Sequence, residues 1–340
     1  RVHIMRNETR FKYNAAMAQL AQLNNVEKVS HKFNVAPTVQ QKLEDKIQLS
    51  SAFLQKINVF LVDEQSGSAV GLGISRPTAS RTNTDTTDRQ AKDPSNMDER
   101  LYFCRKTDFD TAIKYQKLDQ WAKFKDFYAR FSGQIQKRQG LDRIMIGFNG
   151  TSFAATTDIV ANPKLQDVNK GWLQKMREEN VARVLSSGAA QGKITIGKLG
   201  DYKNVDALVM TLVDEMIDEV HQDNPDLVVL CNRKTVADKY FPLVNQDQPN
   251  SEKLAADIII SQKRMGNLPV YAVPFFPEDA ILVTTFDNLS IYVQEGSRRR
   301  TVIDNPKRDQ IENYESSNED YYIEDLGLAA MAEKIEILAG

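Results

Sequence analysis

Residues 108–150 read DFDTAIKYQKLDQWAKFKDFYARFSGQIQKRQGLDRIMIGFNG. Leu118, Trp121, Phe124, Tyr128, Phe131 and Ile135 recur every three or four residues, the period of one helix face. Lys117, Asp119, Lys123, Lys125, Asp126 and Arg130 fill the other side. Asp110 followed by Thr111 is a start signal, no proline interrupts the run, and Gly140 marks the expected end or kink. The pattern predicts a helix over 111–138, about 40 Å long at 1.5 Å per residue. That is more than twice the usual length of a globular helix. Gly133 weakens it by about 1 kcal/mol against Ala. A rod this long is a strut; the alternative is a long core helix of an enzyme.

Working outward, size and composition bound the rest. A chain of 340 residues can bury a large core and suggests two domains. Charged residues are 26% and the formal net charge is −2, which argues against a generic nucleic-acid coat. Two cysteines, Cys104 and Cys231, make no disulfide framework and fit a reducing cytoplasm. No apolar run approaches a membrane span, and nothing near the start reads as a signal peptide.

Upstream of the strut, residues 9–24 form an amphipathic helix with Tyr13, Met17, Leu20 and Leu23 on one face. The first 33 residues carry six Lys/Arg against two Glu, a net of +4, so without them the chain would fall from −2 to −6. They read as a basic arm, or else as a docked terminal helix. Pro37 opens a second helix with Val39, Leu43, Ile47 and Leu54 on one face. INVFLV (57–62) is strand-like. From Arg76 to Asp98, 23 residues contain no Leu, Ile, Val, Phe, Tyr or Trp. They lie between strand candidates VGLGI (70–74) and RLYFC (100–104), which predicts a β-hairpin with a long polar tip, functional or disordered.

Downstream, residues 165–180 hold a short helix carrying Trp172, and KITI (193–196) is a short strand. Residues 205–222 read as one helix. LVVLC (227–231) reads as a strand buried on both faces. A helix over 233–240 and strands at 258–260, 270–273, 280–284 and 289–293 complete a compact α/β unit. The tail combines the basic cluster Arg298, Arg299 and Arg300 with the acids Glu312, Glu315, Glu319, Asp320, Glu324 and Asp325. Opposite charge blocks suit head-to-tail contacts between copies, or they are solvated faces. Ile335 and Ile337 predict a half-buried final strand.

Catalytic signatures are missing. The three histidines match no metal-ligand spacing. GLG (71–73) starts a dinucleotide fingerprint, but Arg76 stands in place of the third glycine. GAAQGK (188–193) is one residue short of a P-loop, and Ile194 follows the lysine. No catalytic, cofactor-binding or metal residue is assigned.

The order of parts and several blocks resemble the major capsid proteins of P-two-like contractile-tailed phages, which have the Hong Kong ninety-seven fold. The blocks are MRNETRFKYNAAMAQLAQLN (5–24), GWLQKMREE (171–179), DNPDLVVL (223–230), ADKYFPLVN (237–245), LAADIIISQKRMGNLP (254–269) and NPKRDQIENYESSNEDYYIED (305–325). The resemblance implies an α+β capsid fold. Its parts would be an N-terminal arm (1–61), an extended β-hairpin loop (62–109), a peripheral domain with the spine helix (110–204), an axial domain (205–300) and a return to the peripheral domain (301–340). It implies self-assembly as pentamers and hexamers into an icosahedral shell in the host bacterial cytoplasm. A scaffolding protein, a protease, a portal protein and in some relatives a decoration protein would be partners. Packaged double-stranded DNA would be touched non-specifically, and no membrane is involved. Proteolytic processing is expected close to Phe33 and Asn34. Arg76, Arg81, Arg89, Arg298, Arg299, Arg300, Glu315 and Glu319 are the candidate intersubunit contacts. Two alternatives are a nanocompartment shell of the same fold and a cytoplasmic α/β enzyme with a lid over 76–98.

Overall fold

A computed structural model describes residues 5–68, 79–91, 100–124, 127–189, 192–244 and 263–338. It opens with α1 (Asn7–Leu23), which lays Thr9, Tyr13, Ala16 and Leu20 against the body. β1 (Phe33–Asn34) follows, and Pro37 starts α2 (Pro37–Leu49), where its fixed φ suits a first helical position. After β2 (Asn58–Val62), β3 (Ser66–Ser68) pairs antiparallel with β4 (Leu101–Phe103). Described residues on either side of the long polar stretch are thus paired as a ribbon. The strand expected at 70–74 lies outside the described residues.

The single rod expected over 111–138 is corrected. β5 (Arg105–Asp108) and β6 (Thr111–Lys114) are strands, and helix resumes as α3 (Tyr115–Trp121) and α4 (Phe127–Asn149). Thr111 to Lys114 extend because they pair with a C-terminal strand, Ile113 opposite Ile311. Asp110 caps nothing; its carboxylate accepts from the Glu315 N–H at 3.3 Å. Tertiary pairing overrides local period here. Gly140 does not end α4. A Cβ there would lie 2.7 Å from Ser50 Oγ and 3.2 Å from Leu54 Cδ1, so the glycine admits α2 against α4. The helix therefore runs 23 residues, to Asn149. Its last turns are buried all round, through Ile144, Met145, Ile146 and Phe148.

Then come α5 (Trp172–Glu179), β7 (Val184–Leu185) and β8 (Ile194–Ile196). The helix expected over 205–222 is also corrected. α6 (Val205–Thr211) passes into a π turn (Leu212–Met216), and the chain breaks before α7 (Glu219–Gln222). The break is held by Asp218, whose N–H donates to the Gly327 carbonyl at 3.0 Å and whose carboxylate pairs with Arg183 at 2.5 Å. β9 (Val228–Cys231) is buried along its length, as expected. α8 (Arg233–Val244), β10 (Arg264–Met265), β11 (Leu268–Ala272), β12 (Ile281–Thr284) and β13 (Leu289–Gln294) follow. The last elements are β14 (Arg299–Asn305), β15 (Gln310–Ile323), β16 (Ala330–Ala332) and β17 (Ile335–Ile337). The strand expected at 258–260 lies outside the described residues.

Among the described residues, one seven-stranded sheet runs β1-β14-β15-β13-β2, with β5 and β6 also on β15. A six-stranded sheet runs β10-β11-β9-β12-β16-β7. The sheets interleave along the chain. β13 joins β15 and β2 rather than its sequence neighbour β12, while β16 returns from the tail to pair with β12. Leu54, Ile146, Trp172, Leu230, Ile291 and Tyr321 belong to one apolar cluster that links α2, α4 and α5 to both sheets. A second joins α6 to the six-stranded sheet through Leu208, Val229 and Ile281. A third seats α1 on α3, β14 and β15.

Candidate assembly surfaces around a buried charge network

The charged residues singled out in the tail do not share one surface. Arg298, Glu315 and Glu319 are buried, and they meet Glu44 of α2 and Gln139 and Arg143 of α4. Arg298 reaches Glu44 at 2.5 Å and Glu315 at 2.7 Å, and its Nη2 donates to Gln139 Oε1 at 2.8 Å. Arg143 reaches Glu44 at 2.6 Å and forks onto Glu319, with Nη2 to Oε1 at 2.6 Å and Nε to Oε2 at 3.1 Å. Beside this, Lys175 of α5 pairs with Asp320 at 2.8 Å. Forked guanidinium–carboxylate geometry is what makes such a dry cluster tolerable. Burial by itself would push the Glu44 carboxyl up, but Arg143 and Arg298 overcome it and hold the group below its usual value. Glu315 is likewise raised by burial and pulled down more strongly by Arg298 and Arg300, to about 2. Arg298, Glu315 and Glu319 are therefore corrected as intersubunit contacts: their charged atoms are enclosed in one chain and engaged there.

Arg299 and Arg300 remain half-exposed. Arg300 donates from Nε to Asn313 Oδ1 at 2.7 Å. Arg299 lines a shallow cleft of about 260 Å³ with Lys32, Lys106, Ser316 and Asn318. Arg81 and Arg89 are exposed, and Arg76 lies outside the described residues. Phe33 and Asn34 form β1, opposite Arg300 and Arg299 of β14.

The surface around the ribbon is apolar in patches. Leu101 is 72% exposed, Phe103 and Phe153 are half-exposed, and the Arg105 guanidinium lies 3.4 Å from the Phe153 ring centre and 4.7 Å from that of Phe103. The segment resembling a P-loop holds its own anion. Ala189 N–H and Thr195 N–H donate to the Asp201 carboxylate at 2.7 and 2.8 Å, and a Cβ on Gly188 would strike it at 2.2 Å. A phosphate has no place there. Among the described residues no group of His, Cys, Asp or Glu is arranged to hold a metal ion.

Sequence reasoning missed Glu44, Gln139, Arg143 and Lys175. Each is a polar residue within a helix, and no local pattern separates a buried charge from a solvated one. The one available signal was the mass of acids in a strand-like tail, which needs cations if it is to pack.

Residues 12–335 match the family described as phage major capsid protein, P2 family. The chain is 49% identical to the capsid protein of Escherichia phage P2, over 98% of its own length and 96% of that protein's. It is 42% identical to the major capsid protein of Serratia phage KSP20, over 97% of both. Among solved structures, it matches a chain of the satellite phage P4 procapsid with a TM-score of 0.82 and 46% identity, covering 98% of this chain and 99% of that one. A capsid chain of an empty GTA particle, 15% identical with a TM-score of 0.53 over 84% of this chain and 90% of that one, shares the fold. With agreement along nearly the whole sequence and the same α+β capsid architecture, the chain belongs to the P2 family of phage major capsid proteins.

Proposed function

We propose that copies of this chain close, as pentamers and hexamers, into the icosahedral head of a contractile-tailed phage around double-stranded DNA, and that the basic arm is trimmed near Phe33 and Asn34. Membership of the family makes the chain a structural protein of the virion and not an enzyme. Near-half identity with a phage capsid protein over the whole chain also sets aside the nanocompartment reading.

The observation that carries the assembly reading is the ribbon of β3 and β4. Among the described residues neither strand pairs with any other. A two-stranded ribbon is marginal in water, and the exposed side chains of Leu101 and Phe103 favour a second surface. A neighbouring copy supplies that surface many times over in a shell, where modest contacts add by multivalency. In this reading residues 1–61 are the arm and 62–109 the loop over the neighbour. Residues 110–204 and 301–340 make the peripheral domain, and 205–300 the axial domain. Arg81, Arg89, Arg299 and Arg300 remain candidate contacts between copies. A scaffolding protein, a protease, a portal protein and a decoration protein are the further partners, met in the host cytoplasm. With a net charge of −2, contact with DNA is weak and non-specific.

Electron microscopy of the chain co-expressed with its neighbouring phage genes tests assembly. Closed shells of uniform size are expected, and monomers alone would overturn the reading. Intact mass on mature particles tests trimming, which fails if residues 1–33 are still attached.

A further inference from the structure

The bond proposed for processing is not an open loop. Phe33 is buried and pairs with Arg300, and Asn34 pairs with Arg299. On either side, the Val302 N–H donates to the Val29 carbonyl at 2.9 Å and the Val35 N–H to the Arg298 carbonyl at 3.0 Å. Ala36 N–H donates to Asn24 Oδ1 at 3.1 Å, and Asn24 Nδ2 donates to the Leu20 carbonyl at 2.9 Å, so the stretch is tied to the end of α1. Proteases take substrate as an unpaired extended strand, and cutting inside a packed strand follows the fraction of time the segment is open.

What holds the segment closed lies well upstream. Met5, Tyr13, Leu20, Val29 and Phe33 pack with Tyr115, Leu118, Val302 and Ile311 in one buried cluster. Arg10 of α1 forms an ion pair with Asp304 of β14, and the Tyr115 hydroxyl donates to the same carboxylate. Lys12 Nζ donates to the Ala122 carbonyl at 2.5 Å, and the Arg6 N–H to Asp119 Oδ1 at 3.1 Å. We infer that the docked arm shields the Phe33–Asn34 bond, and that release of α1 from β14 and α3 sets how fast a protease can cut it. Asp304 is then a positioning residue for processing, although it is far from the bond in sequence. The biological setting rests on the trimming reading; the shielding itself does not.

The test uses chymotrypsin, which cuts after aromatic residues, on the full chain, with fragments identified by mass spectrometry. Cutting after half-exposed Phe153 is the internal reference. Asp304→Asn removes the partner of Arg10 and should speed cutting after Phe33 several-fold. Leu20→Ala empties part of the cluster and should speed it about tenfold or more, since each 1.4 kcal/mol of lost docking is tenfold in the open population. Cutting after Phe153 should be unchanged. If Leu20→Ala also speeds cutting at Phe153, Asp304→Asn alone decides, because it leaves the apolar cluster whole. Equal cutting after Phe33 in the natural chain and in the deciding variants overturns the shielding. Mature particles that retain residues 1–33 overturn the trimming reading and leave the shielding standing.

Discussion

β15 and β9 are both buried strands, and they are made of opposite materials. β15 reads QIENYESSNEDYYI and encloses Glu312, Asn313, Glu315, Ser317, Glu319 and Asp320. β9 reads VVLC and lies between β11 and β12, with aliphatic neighbours on both faces. The six-stranded sheet is held by transfer of apolar surface, a term without direction that tolerates repacking. The centre of the seven-stranded sheet is held by two guanidiniums forked among three carboxylates, where loss of one partner strands the others in a dry site. A sheet built in the second way resists sliding of α2 and α4 across it, since every shift of register breaks a fork. That property suits the assembly proposed above, in which a rigid body carries an arm and a loop that engage different neighbours.

The comparison breaks if the two cores respond alike to truncation. Arg143→Ala leaves Glu44 and Glu319 without their shared cation and should cost about 3–5 kcal/mol in denaturant unfolding of the unassembled subunit. Acid sharpens the contrast. Glu44 and Glu315 have folded values below their ordinary 4.5, so their contribution is fully present above pH 4.5. It is lost as pH falls below that, for Glu315 toward about 2, where the loss is on the order of 3 kcal/mol. Glu315→Gln should flatten that slope, read by unfolding curves between pH 5 and roughly 2. In the apolar sheet, Leu230→Ala should cost about 3 kcal/mol with no change in the acid slope. If Arg143→Ala proves milder than Leu230→Ala, the charge cluster is not a structural lock.

Two glycines of α4 make the finest test. Gly140→Ala places a methyl 2.7 Å from Ser50 Oγ and should destabilise by about 1–2 kcal/mol. Gly133→Ala meets nothing within 4 Å and should stabilise by up to about 1 kcal/mol. Thermal unfolding of the two variants should therefore move in opposite directions.

The apolar parts of this protein were legible in its residues. The buried strand at 228–231, the helix opened by Pro37, the amphipathic α1 and the final strand follow from period and turn chemistry. The family followed from blocks of sequence spread from residue 5 to residue 325. What the residues alone did not reveal depended on partners far away along the chain. Residues 111–114 follow a helix start signal but become a strand because β15 offers them a ladder. Gly140 resembles a stop signal but is a contact point for α2. The acids of β15 read as a solvated face. Arg143 is 176 residues from Glu319, and Arg298 is 254 from Glu44, so only the folded chain brings each charge to its partner. Hydrophobic burial leaves a periodic trace in sequence because water acts on every residue alike. A buried ion pair leaves none, because its energy belongs to a geometry that exists only after the chain has closed.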